Sequence, residues 1–485
     1  MMPTRTGTSF SFQNDPAFIV GLSLAIVLGM LALLVPFYVS LFLLALLLYS
    51  VSLVEKPATV LYSLAFIAPQ INIMVTGGHS IGKTFVYDHH NFLLVDFLSL
   101  AIVIVIAIGR VTGKVGPIRR RSFDLPLLFL AGYAAASLLW VKDLSSGLVI
   151  FLELCSCIVI FYSPILLMKE KRTAEIFLWI WLIIAIYSAI LSISTLYVHY
   201  GHGILYRATQ YFDDSQYMLR FVVIVFAKIK KRVGGFADPN RVAHYLNTAL
   251  LAGLVLYLHA KKRFAKICIG LVMFLLLYTI VHTLSKAGIG SLMAIVFFYV
   301  LLHKRFSGKA IRTLLIFFIA LVTCIVLMSV IDLSGGLGRF GESPAETSGN
   351  MSLALRLKWW QASLTLLFAS GGLGAGVGGI AGHDWSYAQS VYFSLLADLG
   401  LIGFLLAAYF LFTYAVELYT LMKKIYDDNF YYSLALMAAG CVGLFFIHAL
   451  VDFGYNLRLP WLMAGLALAA AEMGNNALAP QEKEG

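Results

Sequence analysis

Apolar runs, each long enough to cross about 30 Å of hydrocarbon, recur along this chain. They fall at roughly 17–35, 37–54, 57–75, 91–109, 124–141, 147–167, 174–197, 240–258, 265–282, 288–302, 313–331, 391–413, 431–449 and 457–473. No other feature restricts the fold as tightly. A bilayer core offers no water to the backbone, so each segment must pair its own N–H and C=O groups and becomes a helix. Pro36 turns the first two runs into a tight hairpin. Residues are 61% hydrophobic and 12% charged, with a mean hydropathy of +0.89, whereas soluble domains carry roughly 25% charged residues. Water-soluble packing cannot hide this much apolar surface. The expected fold is all-α, a polytopic integral membrane protein of about twelve to fourteen transmembrane helices.

The charges orient these helices. With the N-terminus inside, the cytoplasmic loops carry Arg110, Lys114 and Arg119 to Arg121; Lys169, Lys171 and Arg172; Lys261 to Arg263; Lys304, Arg305, Lys309 and Arg312; and Lys423 with Lys424. The short outer loops carry Lys83, Lys142, Lys286 and Arg458, one each. This asymmetry is the positive-inside rule, and it accounts for the net charge of +11 without nucleic acid as a partner. Both termini are expected in the cytoplasm. The apolar run after Pro16 has no small-residue cleavage site, so the first span is expected to remain as an anchor. Cys155, Cys157, Cys268, Cys324 and Cys441 sit in apolar runs without metal-ligand spacing and read as small core residues.

Two long outer loops interrupt the pattern. The chain divides into N-terminal helices over 1–197, a loop over 198–239, central helices over 240–331, a loop over 332–390, and C-terminal helices with a short cytoplasmic tail over 391–485. Together these are read as one membrane domain. Both loops contain aromatic residues, among them Tyr211, Phe212, Trp359, Trp360 and Trp385, which argues against disorder and for packing on the membrane surface. No internal repeat is visible, unlike transporters built from duplicated halves.

Three segments offer chemistry. In the first, the apolar run 221–226 ends in basic residues through Arg232, followed by Gly234, Gly235, Asp238, Pro239, Asn240 and Arg241. The run is too short to span and suits an interfacial or re-entrant segment. Its cations either attract lipid headgroups or bracket a diphosphate at the next helix start, itself an anion site. In the second, Lys286 stands on the outer side within Thr283-Leu-Ser-Lys286-Ala-Gly288, where it snorkels or binds phosphate. The third holds Arg356, Lys358, Trp359 and Trp360, a glycine-rich stretch from Gly371 to Gly379, then His383, Asp384 and Gln389. No Walker lysine follows the glycines, which excludes a nucleotide loop; they suit a turn where a bulky substrate meets backbone. His383 and Asp384 are candidates for a general base, with a solvated loop histidine as the alternative. Asp96, Glu153, Glu417, His448 and Asp452 need partners or water if they lie within the bilayer. The adjacent Asp213 and Asp214 lack the further ligands of a metal site, and no metal or cofactor is expected.

Taken in order, residues of about 230–405 resemble the O-antigen ligase and polymerase superfamily. There, an Arg precedes a Gly and a Pro-Asn at a helix start. A Thr-x-Ser-Arg follows, then Arg-x-x-x-Trp, a glycine-rich stretch, and a His before a helix reading Leu-Ala-Glu-x-Gly-x-x-Gly. This chain has Arg232, Gly235, Pro239 and Asn240; Thr283, Ser285 and Lys286; Arg356, Trp359 and Trp360; the glycines; then Gln389, Ala397, Asp398, Gly400 and Gly403. The resemblance implies a bacterial inner-membrane enzyme that works on the periplasmic face during surface polysaccharide synthesis. It takes a glycan from undecaprenyl diphosphate and moves it to a saccharide acceptor, without a metal, beside membrane lipid and other assembly proteins. Arg232, Lys286 and Arg356, with Arg241, would hold the diphosphate. Two departures stand out. Lys286 replaces an Arg, which keeps charge but loses bidentate geometry. Gln389 replaces the family His and cannot act as a base, which leaves His383, Asp384 or Asp398 for that role, with Gln389 a binding residue. Ligases rely on that His, so a polymerase is favoured over a ligase to lipid A core. A transporter of similar lipids and a non-enzymatic scaffold are the competing readings.

Overall fold

The computed structural model describes residues 53, 56–67, 94–117, 119–199, 239–283, 285, 287–293, 348–380, 390–426, 429–450, 455 and 457–478. All regular structure among them is helical, with no strand. The helices are α1 (Val60–Ile67), α2 (Leu94–Val111), α3 (Asp124–Ser137), α4 (Leu144–Leu167), α5 (Lys171–His199), α6 (Pro239–His259), α7 (Arg263–His282), α8 (Ser348–Ala369), α9 (Val391–Lys424), α10 (Asn429–His448) and α11 (Arg458–Leu478). A short 3-10 turn, Pro57–Thr59, leads into α1. Six spans, within α4, α5, α6, α7, α9 and α10, are long and apolar enough to cross a membrane. The chain is a multi-pass membrane protein. The spans expected at 17–35 and 313–331 lie outside the described residues, as do all of 37–54 except Leu53 and the part of 288–302 beyond Met293.

The last span expected from the sequence, 457–473, is present as α11 but is not one of the six. Arg458, Glu472, Asn475 and Asn476 lower its apolarity. Nearly every residue from Arg458 to Gly474 is buried, so α11 is wrapped by protein and its composition answers to packing instead of lipid. Small residues let the backbones close up: a Cβ on Gly465 would collide with the Phe161 carbonyl of α4. Around this contact, Phe123, Phe161, Phe410, Tyr414 and Trp461 form an aromatic core. The Phe161 and Phe410 rings are 5.9 Å apart and edge-on, and Phe410 stacks on Trp461 at 5.7 Å. An apolar cavity of about 90 Å³ lies beside this core, lined by Leu154, Leu395, Leu399, Phe410, Tyr455 and Trp461 among others.

Contacts between helix ends sort the bundle into two ends. At one, Arg121 before α3 pairs with Glu472 of α11, Ser122 bonds Glu417 of α9, and Asn475 bonds Leu421 O. There too Lys171 of α5 lies over the Phe430 ring of α10, 4.7 Å from its centroid, and His259 of α6 meets Ser433 of α10. This end carries the basic clusters at 119–121, 169–172, 261–263 and 423–424. At the opposite end, α4 starts from Asp143, whose carboxylate caps Ser145 N at 3.1 Å and takes the Ser146 hydroxyl at 2.6 Å. Capping by Asp satisfies N–H groups that a helix leaves unpaired.

One difference from the sequence reading concerns 332–390. Part of that stretch is the 22-residue helix α8, in place of continuous loop. Trp360 of α8 stacks on Phe393 of α9 with ring centroids 5.0 Å apart, which ties it to the bundle.

Candidate functional site

Of the polar side chains that the sequence singles out, the end opposite the basic clusters holds Glu153, Arg241 and Asp398 among the described residues. Its centre is a break in α9. Gly400 has φ 63° and ψ −164°, values open to glycine and strained for L side chains. The break frees two carbonyls and an N–H that a continuous helix would use, and the glycine-rich stretch takes them up. Ala375 N donates to Ala397 O at 2.8 Å, Gly376 N to Asp398 O at 2.9 Å, and Leu401 N to Gly372 O at 2.9 Å. Gly374 has φ 81°, and a Cβ there would run into the Asp398 carbonyl and Gly400 N. On its other side the stretch is held by α3. Val377 N donates to Ser137 Oγ at 2.9 Å, Tyr133 donates to Leu373 O at 3.1 Å, and Trp140 Nε1 to Gly374 O at 3.3 Å. The close approach that these glycines permit is thus to the protein's own backbone.

Asp398 closes the arrangement. Its side chain accepts Ile380 N on Oδ1 at 2.9 Å and the Tyr455 hydroxyl on Oδ2 at 3.0 Å. Asp398 is 5% exposed. With both oxygens engaged, Asp398 sits as an anchor between the glycine-rich stretch and the segment before α11. Nearby, Glu153 meets Arg458 at 2.8 Å, with both side chains about nine-tenths buried. Glu153 thereby has the partner that an ionised group at this depth requires.

A second junction lies at the start of α6. Ser285 Oγ donates to Asn240 Oδ1 at 2.9 Å and accepts Gly288 N at 3.0 Å. Asn247 Nδ2 donates to Gly288 O at 2.8 Å. A Cβ on Gly288 would lie 2.6 Å from that of Ala243. The two segments that carry Arg241 and Lys286 are therefore bound to each other. Arg241 is half-buried there. One turn further into α6, His244 faces His448 of α10 with ring centroids 5.7 Å apart, and both are buried.

Arg356 is half-buried on α8, one turn before Trp360. Trp360 Nε1, Ser390 Oγ and Ser394 Oγ are buried at the α8–α9 side without a hydrogen-bond partner. Arg232, Lys286, His383, Asp384 and Gln389 lie outside the described residues. Sequence reasoning misses Tyr455, the Asn240–Ser285 bond and the identity of the Glu153 partner. For Glu153 a signal exists, since Arg458 opposes the positive-inside bias. No family model matches this chain, and no curated protein matches it either.

Proposed function

We propose that this protein is a membrane glycosyltransferase of the O-antigen ligase and polymerase type, with polymerase favoured over ligase. It acts at the periplasmic face of a bacterial inner membrane with both termini in the cytoplasm. The donor is a glycan on undecaprenyl diphosphate, and a saccharide hydroxyl is the acceptor. The acceptor oxygen bonds to the anomeric carbon while the bond from that carbon to the diphosphate oxygen breaks. The hydroxyl proton passes to a base, for which His383, Asp384 and Asp398 are the candidates, Asp398 being held by Ile380 N and the Tyr455 hydroxyl. Diphosphate leaves with growing negative charge, which Arg232, Arg241, Lys286 and Arg356 would stabilise without a metal. Gln389 would bind saccharide without acting as a base.

The observation that carries this reading is the Asn240–Ser285 hydrogen bond at 2.9 Å. It fastens the segment of Arg241 to that of Lys286 at the end of the bundle away from the basic clusters, as a shared diphosphate site needs. The buried donors Trp360 Nε1, Ser390 Oγ and Ser394 Oγ add unfilled polar capacity close to the helix of Arg356. The test is glycan chain extension in cells carrying Arg232→Ala or Arg356→Ala. Loss of polymer with normal membrane insertion is expected, and a wild-type length distribution in both variants would sink the reading. In a deletion strain, accumulated single lipid-linked repeats identify a polymerase, and long lipid-linked polymer identifies a ligase.

A further inference from the structure

The basic end contains a cation cluster that the glycan reaction does not use. Arg121 lies just ahead of α3 with its side chain 6% exposed. Its Nε and Nη2 both donate to Glu472 Oε1, at 3.0 and 2.7 Å, while Nη1 is buried without an acceptor. Lys169, just past α4, donates to Ile165 O at 2.8 Å. Burial pushes the Lys169 ammonium below its usual range, and the charges of Arg121 and Arg119 push the same way against Glu472. These cations therefore feel one another. Arg119 and Arg120 are exposed beside them. The other nearby carboxylates are already engaged. Asp124 accepts Arg121 N and the Tyr162 hydroxyl, and Glu417 accepts Ser122 N. An unfilled buried guanidinium N–H is costly, and Glu472 is the one carboxylate that the cluster's cations share.

The surface beside the cluster names the ligand's other half. Leu125, Leu128 and Phe129 are exposed at 43%, 66% and 55% on α3, at helical spacing that makes one stripe. The stripe starts four residues after Arg121, at the same end of the bundle, so cations and apolar face follow one another as headgroup and acyl chain do in a lipid. We propose that the phosphodiester of an anionic phospholipid docks on Arg119, Arg121 and Lys169, with its acyl chains along Leu125, Leu128 and Phe129. A bilayer presents this anion at the depth where the apolar stripe meets the charges, and juxtamembrane cations attract it. The site is independent of the glycan reading.

The test measures thermal unfolding of the purified full chain in neutral detergent with added phosphatidylglycerol, phosphatidylcholine of the same chains, or inorganic phosphate. A ligand that binds the folded state raises the midpoint. Phosphatidylglycerol is expected to raise it by several degrees, and the other two to leave it unchanged. Arg119→Gln, at an exposed position, combined with Lys169→Gln, which keeps a donor for Ile165 O, should leave the lipid-free midpoint near wild type. The same pair should weaken the phosphatidylglycerol response about tenfold. Equal shifts from both lipids would overturn the proposal, as would a full response in the double variant. A shift from inorganic phosphate would assign the cluster to a free anion and overturn the lipid.

Discussion

The two ends of the bundle are fastened in different ways. At the basic end, side chains hold side chains: Arg121 to Glu472, Ser122 to Glu417, Lys171 to the Phe430 ring. At the opposite end, backbone is bonded to backbone across the Gly400 break, and the charged groups there are buried and matched, Asp398 by Tyr455 and Glu153 by Arg458. The first kind of contact tolerates water and substitution, because a long side chain can find another partner. The second does not, because a carbonyl released by a broken helix has few alternatives once buried. Rigid, fully satisfied backbone is what a site for precise chemistry stands on. A surface that meets lipid headgroups needs only charge of the right sign. The difference fits the proposal of glycan chemistry at the glycine-rich end and of lipid contact at the basic end.

Breaking the buried pair tests this contrast most severely. Glu153→Leu leaves Arg458 charged at about one-tenth exposure, and stranding one partner of such a pair costs about 3–5 kcal/mol. Glu153→Met combined with Arg458→Met should recover most of the loss, since a buried pair replaced by apolar residues is often neutral. Denaturant unfolding in detergent reads both. A double variant as unstable as the single one would mean that the two residues act separately.

Next in size is the backbone docking. Gly374→Ala asks an L residue to adopt φ 81° and pushes a methyl group into Asp398 O and Gly400 N. A cost of about 1–3 kcal/mol is expected, with faster amide exchange at Ala375, Gly376 and Leu401. Unchanged exchange at those three would separate the glycine-rich stretch from the α9 break. At the basic end, Glu472→Gln removes the charge facing Arg121 but keeps an acceptor. The carboxylate is 25% exposed, so water compensates in part, and the loss should be about 1–2 kcal/mol in the same unfolding experiment. A loss equal to that of Glu153→Leu would erase the distinction between the ends.

The sequence announces the parts that face lipid more clearly than those that face protein. Runs at 147–167, 174–197 and 265–282 become α4, α5 and α7 with ends shifted by a few residues, because lipid demands continuous apolarity that one dimension displays. Helix α8 is hidden by comparison. Its Arg356, Lys358 and Gln361 make it too polar to span, and its apolar residues gather on no single face. The glycines from 371 to 379 are plain in the sequence, but their partner is not. Close approach between backbones requires a missing Cβ on one segment and a broken helix on the other, and the Gly400 break has no local signature apart from one glycine. Glu153 is legible as a group in need of a partner. Choosing Arg458 requires the packing of α4 on α11.

The smallest expected effect sharpens the comparison from the other side. Lys171 and Glu175 face each other one turn apart on α5 at 3.9 Å, with side chains 51% and 43% exposed. Solvent screens such a pair, and exposed ion pairs of this spacing contribute about 0.3–0.5 kcal/mol. Glu175→Gln leaves the Lys171 ammonium over the Phe430 ring, where a cation–π contact persists. Unfolding of that variant should therefore fall within about 0.5 kcal/mol of wild type, and added salt should shrink the gap further. A loss near that of Glu472→Gln would show that the basic end is a coupled network. Its charges would then be structural, and the surface left for lipid would contract to Arg119 and Lys169.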